Sequence, residues 1–131
     1  MNNPSIFTKI IQGEIPCHKV YEDEQTMAFL DIYSEIEGHT LVISKKQVEF
    51  LWDLDQADYR AVTDTAQKVA KRLREVLEIP YVGVKVVGVD VPHAHIHLVP
   101  FTDVKTYHKA GVTNREPDHK ELAELAKRLA F

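Results

Sequence analysis

The run Val82-Gly83-Val84-Lys85-Val86-Val87-Gly88-Val89, then Asp90-Val91-Pro92, then His93-Ala94-His95-Ile96-His97-Leu98-Val99 decides the fold. Branched apolar residues fill both long segments, as a pleated, half-buried surface requires. Asp90-Val91-Pro92 is short enough for a hairpin, and Pro92 and Pro100 bracket the second strand. Strands joined so closely pair antiparallel. Side chains alternate faces along a strand, so His93, His95 and His97 should share one face. Ala94, Ile96 and Leu98 should then turn the other way, into a core.

The rest of the chain supplies partners for this hairpin. Residues 5–11 place Ile6, Phe7, Ile10 and Ile11 on one helical face, with Ser5 as the cap and Gly13 as a left-handed exit. Residues 19–22 and 27–32 read as short strands around the acidic turn 22–24, and residues 40–44 as a third strand. A long helix is expected over 56–77, because Val62, Ala66, Val69, Ala70, Leu73, Val76 and Leu77 form one stripe. Asp55 caps it, and Asp58 adds negative charge to its first turn. Residues 105–115 are polar and read as loop. Leu122, Leu125, Ala126 and Leu129 predict a last amphipathic helix over 118–130. The predicted class is therefore α+β: an antiparallel sheet of about five strands, the long helix on one face, a short N-terminal helix and a C-terminal helical tail.

With 131 residues, the chain suits a single domain over 1–131, with a core at 5–100 and a tail at 101–131. The formal net charge is -4 and no basic block stands out, so long nucleic acid is not an expected partner. Cys17 is the single cysteine, which excludes an internal disulfide and a cysteine-built zinc cage. The start lacks a secretion pattern, and no apolar run approaches a bilayer span of ~20 residues. A cytoplasmic location without membrane association is the expectation.

Three imidazoles at strict alternation are hard to explain as packing, since each buried ring nitrogen needs a partner. A metal site is one competing reading, because imidazole is a common ligand. Neighbouring same-face positions lie ~7 Å apart, however, so two of the three could share an ion while three would need distortion. No nearby Cys or Asp-rich segment completes a shell. The catalytic reading fits better. Neutral imidazole is a nucleophile at physiological pH, and flanking histidines can donate to the oxygens of a phosphate under attack.

His93-Ala94-His95-Ile96-His97-Leu98-Val99 matches His-φ-His-φ-His-φ-φ, where φ is apolar, and resembles the histidine triad family. Residues 6–16, 28–32 and 38–46 resemble three further landmarks of that family, so the resemblance covers about residues 5 to 100. It implies a nucleotide hydrolase or transferase that works through a nucleotidyl-histidine intermediate. Its expected substrates are purine nucleoside phosphoramidates, adenylates or dinucleoside polyphosphates. By resemblance, His95 is the nucleophile, His93 and His97 its supporting pair, and His39 a fourth histidine lining the site. Asp31 resembles the acid that holds the ribose hydroxyls, and a carboxylate suits a vicinal diol. Phe7, Ile10, Phe29 and Ile32 resemble an apolar pocket for the base. The resemblance also implies a homodimer. No cofactor is expected.

Two departures from the family pattern stand out. Many relatives carry Gln followed by Ser or Thr before the triad, whereas residues 81–91 here contain no Asn, Gln, Ser or Thr. Backbone N–H groups around Gly88, or Lys85, are the available substitutes, and Asp90 would repel a phosphate. Some relatives also bind structural zinc through two N-terminal cysteines, a histidine after the Lys-Lys pair and the first triad histidine. Ser5, Thr8 and Gln47 stand in those places here, so no structural zinc is predicted. The missing donors motivate one alternative to the hydrolase, a non-catalytic nucleotide-binding or adaptor protein. A metal-dependent hydrolase using His39 and the triad is a further alternative.

Overall fold

The computed structural model describes residues 3–109 and 115–131. Helix α1 (Ile6–Ile11) leads into strands β1 (Lys19–Glu22), β2 (Thr26–Leu30) and β3 (Thr40–Ser44). The long helix α2 (Gln56–Leu77) follows a 3₁₀ turn at Leu51–Asp53. Strands β4 (Tyr81–Lys85) and β5 (His95–Phe101) come next, then helices α3 (Val104–Lys109) and α4 (His119–Leu129). The five strands form one sheet in the order β1-β2-β3-β5-β4, with every neighbouring pair antiparallel. The expected α+β architecture is the observed one.

Local chemistry fixes the ends of the helices. The Asp55 carboxylate accepts from the Asp58 N–H at the start of α2, and Glu78 closes that helix at φ 54°. At α4, Asp118 accepts from the Glu121 N–H. Helix α2 lays Val62, Ala66, Val69 and Leu73 on one face of the sheet, against Ala28, Leu30, Val42, Ile96 and Leu98. Burying one such side chain stabilises the fold by roughly 1.5–3 kcal/mol. Helix α4 adds Leu125, Ala126 and Leu129 to the same core, and the Arg72 Nε–H donates to the Leu129 carbonyl at 3.0 Å. The opposite face carries a smaller cluster of Phe7, Met27, Phe29, Leu41 and Ile43 under α1.

Three expectations need correction. Strand β4 ends at Lys85, short of the expected residue 89, and residues 86–94 form the link to β5, so the connection is a long loop and not a tight hairpin. Gly88 takes φ +75° within it. His93 consequently lies before β5, not on it. The polar segment read as loop over 105–115 begins with a helix, α3, whose first turn is tied by Asp103 Oδ1 accepting from the Thr106 N–H. The rest of that expected loop, residues 110–114, lies outside the described residues. No helix among the described residues is long and apolar enough to cross a membrane.

Candidate active site

The alternation along β5 holds where the strand is regular. Ile96 and Leu98 enter the α2-side core, while His95 and His97 pair with Ile43 and Leu41 on the opposite face. The Phe7 ring meets the His95 ring edge-on at a centroid distance of 5.0 Å, and the His95 and His97 rings are also 5.0 Å apart.

His95 is held in one tautomer. Its Nδ1 lies 2.6 Å from the backbone carbonyl oxygen of His93. A carbonyl only accepts, so Nδ1 carries a proton, and in the neutral ring the lone pair is on Nε2. The residue is 5% exposed. Every buried side-chain nitrogen or oxygen among the described residues has a hydrogen-bond partner. Nε2 of His95 has no such partner, so it is not fully buried. A ring nitrogen with a lone pair and no hydrogen-bond partner is what a nucleophile requires.

His93 is fully buried and has both nitrogens engaged. Its Nε2–H donates to the Ser44 carbonyl at 2.5 Å, which leaves Nδ1 to accept from the Ser5 hydroxyl at 2.7 Å. Burial is the main cause that pulls its pKa below the ordinary histidine value. The hydrogen bonds continue outward. Ser5 Oγ accepts from the Thr8 N–H at 3.0 Å, and Gln47 Oε1 accepts from the Ser5 N–H at 2.8 Å and from the Thr8 hydroxyl at 2.6 Å.

On the other side, His39 Nε2 lies 3.0 Å from His97 Nδ1 and 3.7 Å from Asp31 Oδ2. His39 Nδ1 is 2.7 Å from Ser34 Oγ, which itself accepts from the Ile36 N–H. Putting the shared proton on His39 Nε2, beside the Asp31 carboxylate, satisfies this chain: Ser34 donates to His39 and His39 donates to His97. His97 is then left with a free Nε2–H, a donor for a phosphate oxygen. Burial lowers the His39 pKa against the opposing pull of Asp31. Burial, helped by the neighbouring His39 and His95, lowers that of His97 to about 4. The two rings are therefore uncharged at neutral pH.

A family model described as the HIT domain matches residues 12–104. The chain belongs to the HIT family. Its relatives include adenosine 5'-monophosphoramidase HNT1 of Saccharomyces cerevisiae, 36% identical over 95% of this chain and 79% of that one. The hit protein of Bacillus subtilis is 37% identical over 72% and 69%. Among solved structures, a Hit-like protein from Bartonella henselae superposes with a TM-score of 0.82 at 32% identity, covering 98% of this chain and 95% of that one. A zinc-bound histidine triad family protein from Mycobacterium smegmatis gives 0.78 at 29% identity, covering 95% and 91%.

In this HIT chain the place of a structural zinc is filled by a different donor set. Ser5, Thr8 and Gln47 offer hydroxyls and an amide that already bond one another, and His93 has no free nitrogen. Zinc takes thiolate, imidazole or carboxylate ligands, so these residues do not fit it. Asp31, His39 and His97 are different. Among the described residues, they alone bring three ligand atoms of metal-binding type within 4.8 Å of one another.

The residues expected to hold the base divide into two groups. Phe7 and Phe29 are buried with centroids 5.6 Å apart, and Ile10 packs beside them. Ile32 lies apart, lining a cavity of about 480 Å³ between the 31–39 loop and α4, where Asp31, His39, Leu122 and Arg128 also face. That cavity touches the site only through Asp31 and His39, and none of the triad histidines lines it. Sequence reasoning missed Ser34 and the Ser44 carbonyl. Nothing in a lone serine five positions before a histidine marks it as that ring's partner.

Proposed function

We propose that this protein is a nucleotide phosphoramidase or hydrolase that cleaves purine nucleoside phosphoramidates, adenylates or dinucleoside polyphosphates through a nucleotidyl-histidine at His95. The observation that carries this reading is the His95 ring, with Nδ1–H donated to the His93 carbonyl and Nε2 unpaired and not fully buried. The adenosine 5'-monophosphoramidase name of the yeast relative supports the substrate class.

The steps follow from the donors and acceptors. The Nε2 lone pair of His95 forms a bond to the phosphorus that carries the nucleoside, as the P–N or P–O bond to the leaving group breaks. The leaving group departs with that bond's electron pair, and an amine takes up a proton from water as it goes. The free Nε2–H of His97 donates to a non-bridging oxygen as charge builds there. Asp31 accepts from the ribose hydroxyls, and Phe7, Ile10 and Phe29 receive the base. Water then attacks the phosphorus, the N–P bond returns its pair to His95, and a nucleoside monophosphate leaves with the water's oxygen. The acting form is a homodimer. In support, β4 is an outer strand that exposes Tyr81 and Val84, and such an edge pairs readily with a second copy.

Incubation with adenosine 5'-monophosphoramidate tests the reading. The protein should release AMP, and His95→Ala should lower the rate by more than about a thousandfold while AMP still binds in equilibrium titration. Full turnover by His95→Ala would remove the mechanism. The cluster of Asp31, His39 and His97 favours one second reading, a metal-dependent hydrolase. Activity that survives exhaustive chelation excludes it.

A further inference from the structure

The register of the sheet arranges one row of side chains on the face that carries the triad. Phe29 of β2 pairs with Leu41 of β3, Leu41 pairs with His97 of β5, and His97 pairs with Lys85 of β4. Directly opposed residues in an antiparallel sheet point to the same side, with successive strands about 4.8 Å apart. The row therefore runs from an apolar residue under the base, through the histidine beside the phosphorus, to a cation one strand further on. Asp31 follows the end of β2, so the nucleoside occupies the β2–β3 end. The group that departs from phosphorus then extends toward β4.

The charge balance along this row is uneven. The rings of His39, His93 and His97 are uncharged at neutral pH, and Asp31 adds a negative charge. Lys85 is the cation whose field reaches both His39 and His97. It is exposed, and among the described residues no carboxylate pairs with it; Lys45 and Lys46, by contrast, are tied to Glu22 and to Asp55 and Asp58. Between residues 81 and 91 the only side-chain hydrogen-bond donors are Tyr81 and Lys85. Tyr81 lies at the far end of β4, stacked on Phe101.

We propose that Lys85 is a specificity-determining residue that recognises the leaving group, and that the preferred substrates are nucleotides whose leaving group carries phosphate of its own. This rests on the His95 reading. When the P–O bond breaks, its electron pair stays with the departing phosphate, and the added negative charge develops beside the Lys85 ammonium. A departing amine brings no such charge, so it gains less from this lysine.

The test compares kcat/KM for diadenosine tetraphosphate and for adenosine 5'-monophosphoramidate in the wild type, Lys85→Gln and Lys85→Arg. The polyphosphate-to-phosphoramidate ratio should fall at least tenfold in Lys85→Gln and recover in Lys85→Arg. A ratio that stays the same in Lys85→Gln overturns the role of Lys85 and leaves the His95 mechanism standing. A wild-type protein that cleaves neither compound removes both.

Discussion

His39 Nε2 and His97 Nδ1 lie 3.0 Å apart, so the imidazole just before β3 and one on β5 share one proton. With both rings neutral, His39 carries its proton on Nε2 and His97 carries its own on the far nitrogen. An added proton would place a cation in a partly buried site already in the field of Lys85. His39, His93 and His97 thus surround the nucleophile as uncharged rings, and of the three only His97 keeps an N–H free to donate to phosphate.

This neutrality predicts a direction for stability against pH. The His97 pKa is lowered from 6.5 to about 4 in the folded protein. Between those values the unfolded chain binds the proton more readily, so stability falls as pH drops from 6.5 toward 4 and changes little from this ring above 6.5. His39 and His93 are shifted in the same direction and add to the slope. Urea denaturation of the wild type and of His97→Gln across this range should give a shallower pH dependence for the variant. Parallel curves would show that the slope has another origin.

Asp31 offers a second measurement. Its Oδ1 already accepts from the Tyr33 N–H at 2.8 Å, which fixes the carboxylate while Oδ2 faces His39. Asp31→Asn keeps the shape and removes the charge. Loss of a charged acceptor costs about 1.5–3 kcal/mol of binding. KM for a ribonucleotide substrate should therefore rise by roughly ten- to a hundredfold. The effect should shrink for a 2'-deoxyribonucleotide, and an equal loss on both sugars would disconnect Asp31 from the ribose.

Ser5 does two jobs with one oxygen. It caps α1 by accepting from the Thr8 N–H and donates to the buried Nδ1 of His93. Ser5→Ala removes a helix cap and leaves a buried acceptor unsatisfied, so a loss of about 2–3 kcal/mol in unfolding free energy is expected. Chemical denaturation measures it directly. Ser5→Thr keeps the hydroxyl and should lose less. Equal losses in the two variants would point to packing alone.

The parts of this architecture written at short range could be read from the sequence. The two-residue period put Ile96 and Leu98 in the core and His95 on the other face, and the stripe from Val62 to Leu77 fixed α2. The caps Ser5 and Asp55 could be read because each bonds within three residues of itself. The misreadings have one common cause. Whether residues 86–89 continue a strand depends on a neighbour to pair with, and β5 begins only at His95. Helix α3 is polar because the contact that seats it is a single ring. Tyr107 lies over Gly83, where an added Cβ would stand 2.5 Å from the ring, and no helical stripe announces such a contact. The tautomer of His95 was also hidden, because it depends on a backbone carbonyl.

The hydrogen bond between Ser5 and His93 joins residues 88 positions apart. Contacts of such long range form slowly, because most of the intervening chain must be ordered before they are rewarded. The sheet and α2 can condense through nearer partners, so the N-terminal turn docks among the last events of folding. During refolding, return of helical signal should run ahead of return of the ordered histidine cluster.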